Sequence, residues 1–234
     1  MISVAIAALP EEEKKLEGAV TSVKNFADEV VVLQIGKDVP NTPYVETIRN
    51  KMIEKCKGDW ILILDPDERI TESLSIKLKE ISNQGMFDAV NIPRKNIFFG
   101  HWIAHSNWWP DRQVRFFKKG NVIWDSQIHS YPKVTGKLHN LPAKEEFAIE
   151  HYGYDNISEF IGRQNRYSGI EAVNRLEKGE RFSLLNFFWW PHREFLVRYI
   201  KHLGFLDGFY GFALSFLMAI YKVTVQVKMW EVKK

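Results

Sequence analysis

The sequence has one cysteine, Cys56, among 234 residues. That excludes an internal disulfide framework and a cysteine-built metal site, and it suits a reduced compartment. Excess charge is scarce as well. A net charge of only +3 is too little to point to nucleic acid as a partner. No glycine stands at positions 9–15, where a nucleotidyltransferase would want a phosphate-cradling glycine loop. The N-terminal run Ile2, Ser3, Val4, Ala5, Ile6 has no basic segment before it and reads as a buried strand rather than a signal peptide. The charge-free apolar stretch 209–221 has 13 residues, short of the roughly 20 that a membrane crossing requires. There are no internal repeats and no low-complexity tracts.

Hydrophobic residues make up 45 % of the chain, enough for a sizeable core, and aromatics 14 %, crowded into the second half. Residues 2–7, 29–35 and 60–64 are short apolar runs bounded by turn formers, so they are expected as strands. Between them, 11–26 and 44–57 carry helical patterns, and 71–82 follows with another. Glu11, Glu12 and Glu13 open the first, where the helix dipole favours anions. This alternation predicts an α/β fold with a mostly parallel sheet and helices on both faces. Ligands bind such sheets at the carboxyl ends of the strands, where Pro10, Gln34 and Asp65 fall. Further on, 89–93 reads as a strand. The segment 98–117, rich in tryptophan and histidine, reads as a loop-and-strand region around a site. Residues 157–178 form a helix with Ser158 as its N-cap and Gly179 past its end.

From position 182 the chain changes in kind. Phe187, Phe188, Trp189 and Trp190 precede a mixed segment with Arg193, Arg198 and Lys201, and Lys222 and Lys228 follow the apolar stretch. Tryptophan and bases beside apolar faces are the pattern of amphipathic interfacial helices. A buried helix pair or dimer element, and last a true spanning helix, are the alternatives.

Asp65-Pro66-Asp67-Glu68 follows directly on the strand at 60–64. Carboxylates gathered at a buried strand's exit rarely serve packing. Two of them two residues apart can converge on a hard cation such as Mg²⁺ or Mn²⁺. An ion so held would neutralise a diphosphate leaving group. A solvated turn is the plainer reading of an isolated Asp-x-Asp.

The longer segment 58–69, GDWILILDPDER, resembles the signature of glycosyltransferase family 2, and within it the lipopolysaccharide core β-glucosyltransferases. Arg49-Asn50 ahead of it, Ile92-Pro93-Arg94 with Asn96, the stretch WPDRQVRFF at 109–117, Ile128-His129, His151-Tyr152 and the NRYS at 165–168 are similar to that subgroup's motifs, in the same order. The resemblance covers nearly the whole chain. It implies a GT-A type nucleotide-diphospho-sugar transferase fold, with a catalytic domain at 1–181 and a membrane-associating helical tail at 182–234. It also implies an inverting hexosyl transfer from a nucleotide-sugar donor to a lipid-linked or envelope glycan, on the cytoplasmic face of the membrane. Glu11, Gln34, Arg49 and Asp65 would then lie on the nucleotide-sugar side. Asp67 would bind Mg²⁺ or Mn²⁺, with His129 completing the shell. Asp111 would be the general base. Trp108, Trp109 and Arg166 would face the acceptor. Each also has a structural reading: a Pro-Asp turn for Asp111, a half-buried histidine for His129, core packing for the tryptophans and a solvated helix face for Arg166.

Three positions depart from the family pattern. Pro10 replaces an asparagine, Gln34 an aspartate and Ser130 a glutamate. They fall mainly on the nucleotide pocket and leave the nucleotide's identity open. A degenerate, non-catalytic relative that binds partners or membrane through its tail is the competing class. The intact Asp65-Pro66-Asp67-Glu68 opposes it.

Overall fold

The computed structural model describes residues 1–39, 46–124 and 132–232. In chain order the elements are β1 (Ile2–Ala8), α1 (Glu13–Val23), β2 (Glu29–Gln34), α2 (Glu46–Lys55), β3 (Trp60–Leu64), β4 (Glu68–Ile70), α3 (Glu72–Gln84) and β5 (Ala89–Phe98). They continue with β6 (His101–Trp102), β7 (Asp111–Lys118), β8 (Val122–Ile123), β9 (Lys133–Val134), β10 (Leu138–Asn140), β11 (Ile149–Tyr154), α4 (Ile157–Glu177), α5 (Leu184–Leu196) and α6 (Gly208–Glu231). The chain divides into two compact units, Met1–Lys95 with Pro110–His151, and Asn96–Trp109 with Tyr152–Lys234. The helix α4 thus belongs with the aromatic tail rather than with the first unit.

In the first unit the sheet runs β2-β1-β3-β7-β5-β11-β4, with β10 also on β5. Every residue of β1 and β3 is buried. They read as unbroken apolar runs because helices cover both faces. Ile2, Val4, Ile6, Leu62 and Leu64 pack on α1 and α3 residues such as Val23, Leu74 and Leu78. Ala5, Ala7, Ile61 and Ile63 face Ile48, Met52 and Ile53 of α2. The α/β expectation with two covered faces therefore holds. β1 pairs parallel with β2 and β3, and β10 pairs parallel with β5. Beyond β3 the sheet is mixed, because β7 pairs antiparallel to both β3 and β5. Cys56 is buried, and burial pushes its thiol up to about 11, so it stays protonated at neutral pH.

Helix ends follow local chemistry. Thr71 caps α3, accepting the Leu74 amide, and Gly85 closes it at φ 65°. At α4 the cap is Asn156, whose side chain accepts from Glu159 at 2.9 Å, not Ser158 as expected. Residues 10–12 form a short 3₁₀ turn ahead of α1, consistent with Pro10.

In the second unit an aromatic cluster of Phe98, Tyr154 and Phe160 packs with Ile103, Leu214 and Met218. Gly211 is required where α6 meets the preceding turn, since a Cβ there would fall 1.8 Å from the Gly204 carbonyl. The helix α6 has 24 residues, about 36 Å long at 1.5 Å per residue. Residues Gly204–Glu231 are long and apolar enough to cross a membrane by length and composition. Counting only the charge-free stretch understated the element, because the helix continues through Lys222 and Lys228. Both cations turn toward α4: Lys222 reaches Glu171 at 3.3 Å, and Lys228 reaches Asn165 at 2.8 Å and Ser168 at 2.9 Å.

Candidate active site

The chain leaves β3 through a turn in which the Glu68 amide donates to the Asp65 carbonyl at 3.0 Å. Asp at the first position and Pro66 at the second are the residues that favour such a turn. Glu68 returns the contact, its Oε2 accepting the Asp65 amide at 2.9 Å. Arg69 then locks the turn to α1. Its guanidinium donates to the carbonyls of Pro66 at 2.7 Å, Glu68 at 2.8 Å and Lys15 at 2.7 Å.

Around this turn the first unit assembles a ladder of alternating charges. Arg115 donates from Nη2 to Asp65 at 2.6 Å and to Glu68 at 2.9 Å. Arg94 reaches Glu68 at 3.3 Å and binds Asp111 through Nε at 2.8 Å and Nη2 at 2.5 Å. Arg49 stands 3.6 Å from Asp65 and over the Trp124 ring at 5.5 Å. Burial opposes the charge on Asp65, yet Arg115, Arg49 and Arg94 outweigh it and hold that carboxyl far below the usual range. Burial likewise opposes Arg94 and Arg115. Asp111 and Glu68 hold the first charged, Asp65 and Glu68 the second, and both end above the ordinary arginine value.

Arg115 reaches this cluster through a β-bulge. Val90 pairs with Phe116 but the next residue, Asn91, pairs with Val114, so Arg115 is the extra residue on β7. A bulge re-aims a side chain, commonly next to an active site.

Asp67 is buried, and its carboxylate lies 3.7 Å from His151 Nε2. Among the described residues no group of three or more His, Cys, Asp or Glu side chains forms a metal site. His129, the expected second metal ligand, and Ser130 lie outside the described residues. Asp67 with His151 is a two-donor set. It suits an ion that keeps much of its shell for substrate phosphates and water.

Gln34 is exposed at the end of β2, its backbone N–H donating to the Asp38 carboxylate at 2.8 Å, and Glu11 is exposed on the turn after β1. Both therefore sit at the same carboxyl end of the parallel strands as Asp65. Asp111 opens β7 and is half-buried. The acceptor-side candidates fall in the second unit. Trp108 packs edge-on to Phe98 at 5.0 Å and carries Arg198 over its ring at 5.2 Å. Trp109 meets Trp102 at 5.6 Å. Arg166 is exposed on α4, over Tyr167 at 5.4 Å. Trp108 is thus engaged in packing by both Phe98 and Arg198. Sequence reasoning passed over Glu68, Arg94, Arg115 and His151 as working residues, although all four lie inside the motifs that carried the family resemblance.

No protein-family model matches the chain. It is 25 % identical over 255 residues to an uncharacterised glycosyltransferase of Rickettsia bellii, covering 94 % of this chain and 83 % of that one. It is 22 % identical over 182 residues to the lipopolysaccharide core biosynthesis glycosyltransferase LpsC of Rhizobium meliloti, covering 76 % and 66 %. Among solved structures it is similar to S. aureus TarS 1-349 in complex with UDP-GlcNAc. There the TM-score is 0.45 and the identity 11 %, over 95 % of this chain and 81 % of that one, a likeness too loose to carry an argument. The chain is thus similar to relatives named as glycosyltransferases, over 94 % of its length for the Rickettsia protein and 76 % for the lipopolysaccharide core biosynthesis enzyme.

Proposed function

We propose that the chain moves a hexose from a nucleoside-diphosphate sugar to a lipid-linked or cell-envelope glycan, with inversion at the sugar's anomeric carbon, through a GT-A type site. The observation that carries this reading is the acidic turn Asp65-Pro66-Asp67-Glu68 at the carboxyl end of β3, wired by Arg94 to Asp111. The name of the Rhizobium relative supports an envelope glycan as acceptor.

Asp65, oriented by Arg115 and Arg49, lies on the nucleotide side with Gln34 and Glu11. Asp111 takes the proton from the acceptor hydroxyl as that oxygen attacks the anomeric carbon and the nucleoside diphosphate leaves. The Arg94 clamp fixes the carboxylate for that task. Asp67, with His151 beside it, would hold Mg²⁺ or Mn²⁺. Such an ion supplies charge neutralisation at the departing diphosphate.

The surface of the second unit supports a membrane as the setting of the reaction. Because Lys222 and Lys228 turn toward α4, the outward face of α6 from Phe209 through Phe216, Ile220 and Val227 to Trp230 is exposed and carries no charge. That face is about 31 Å long at 1.5 Å per residue. Trp189 is exposed on α5, and Arg193 and Lys201 are exposed cations suited to anionic headgroups. We read the protein as peripheral on the cytoplasmic side of the membrane. The direct test is release of nucleoside diphosphate from a panel of nucleotide sugars, with and without chelator. Turnover of none of them would sink the transferase reading in favour of a non-catalytic relative.

A further inference from the structure

Glu68, which like Arg94 and Arg115 has no role anticipated from the sequence, is the hub of the ionic ladder. Its side chain is 0 % exposed. One oxygen, Oε1, receives both Arg115 at 2.9 Å and Arg94 at 3.3 Å, while Oε2 receives the Asp65 amide. Two guanidiniums, Arg115 buried and Arg94 half-buried, therefore converge on a single carboxylate oxygen. Without that negative charge they would repel each other in a medium that screens poorly. Each guanidinium spends its remaining bonds on a different working carboxylate, Arg94 on Asp111 and Arg115 on Asp65. Among the described residues the Arg115 Nε meets no acceptor, so Asp65 and Glu68 are what hold that side chain in place.

We propose that Glu68 is a positioning residue that couples the acceptor side of the reaction to the donor side. Through Arg94 it sets the carboxylate of Asp111, and through Arg115 that of Asp65, so that the two are ordered together. This rests on the roles given above to Asp65 and Asp111. Glu68 touches no substrate itself. A buried carboxylate that only secured the fold would need one cationic partner. Here the partners are two, and each ends on a residue of the site.

The test is a pair of double-mutant cycles. Turnover is measured for Asp65→Asn, Asp111→Asn and the double variant, first in the native background and then with Glu68→Gln, which keeps the shape and removes the charge. In the native background the two losses should fall short of multiplying by about tenfold, a usual size for residues in one charge network. With Gln at position 68 they should multiply. Losses that multiply in both backgrounds, or fall short equally in both, overturn the coupling. Two further variants guard against a misfolded Glu68→Gln. Arg94→Lys keeps the charge but breaks the two-bond clamp, and should lower kcat with donor KM nearly unchanged. Arg115→Lys should chiefly raise donor KM. A general loosening would shift kcat and KM alike in both variants, and that result also overturns the proposal. If the native chain turned over no donor, the transferase reading would fall and this role with it. An active native chain with multiplying losses removes only the coupling.

Discussion

At the scale of single residues, the candidate site depends on carboxylates that are buried but compensated. Asp67 is a clear case, since it is buried and lies 3.7 Å from His151 Nε2. Asp67→Ala should abolish transfer and leave circular dichroism and the melting curve close to native, because the ion it would hold contributes several kcal/mol to the transition state. Full activity of that variant would remove the metal role. Asp65 allows a pH test. Its folded carboxyl is held below the unfolded value, chiefly by Arg115 and Arg49 against the opposing effect of burial. A depressed acid contributes stability above its unfolded pKa and loses it as the pH falls through the folded one. Asp65→Asn should therefore destabilise the protein most at neutral pH. The gap to native in urea midpoint should narrow as the pH drops below the ordinary carboxylate range. A gap that stayed constant or widened toward acid would mean that Arg115 and Arg49 do not stabilise the carboxylate.

At the scale of elements, the acidic turn is held by its fit against α1. Arg69 donates into that helix at the Lys15 carbonyl, and Gly18 leaves room for it: a Cβ there would stand 2.2 Å from Nη2. Two effects compete in Gly18→Ala. Alanine gains about 1 kcal/mol of helix propensity. Displacing the guanidinium forfeits charge-assisted hydrogen bonds worth about 1.5–3 kcal/mol each. The second should win, with a net loss of about 1–3 kcal/mol and weaker donor binding, because the same guanidinium also bonds to the Pro66 and Glu68 carbonyls. Denaturant melts with nucleotide titration check this. A more stable Gly18→Ala protein with native donor affinity would show that Arg69 has other room to move.

At the scale of the whole molecule, the distribution of charge over the second unit decides what it meets. Three exposed apolar side chains of α6, Phe209, Phe216 and Ile220, are natural targets because they lie outside the buried clusters that join α6 to α4. Replacing all three by serine should release the protein from anionic vesicles in flotation. Donor hydrolysis should be unchanged and transfer to a lipid acceptor reduced. Flotation equal to native would move the membrane contact elsewhere. Truncating after residue 181 is a poorer probe, since α4 would lose Val225 and Met229, which pack on Ala172.

The sequence by itself determined the elements whose causes are local. Unbroken apolar runs mark β1 and β3 as buried strands, Asp-Pro makes the turn after β3, and Thr71 and Gly85 bound α3. It also determined that carboxylates gather at a strand exit, because that needs only adjacency along the chain. Tertiary structure alone decided which cations meet them. Arg94 and Asp111 are 17 residues apart, and Arg115 and Asp65 are 50 apart. Their meeting depends on β7 inserting antiparallel between β3 and β5. The bulge that turns Arg115 inward breaks the alternation from which its direction would have been read. The inward turn of Lys222 and Lys228 is of the same kind. A charge in the sequence marks a break in an apolar run, but a neighbouring helix that supplies Glu171 and Asn165 takes that charge off the outer face. Local backbone preference acts over a few residues, whereas ion pairing and burial act across whatever distance the fold closes, and the site of this protein is built from the second kind.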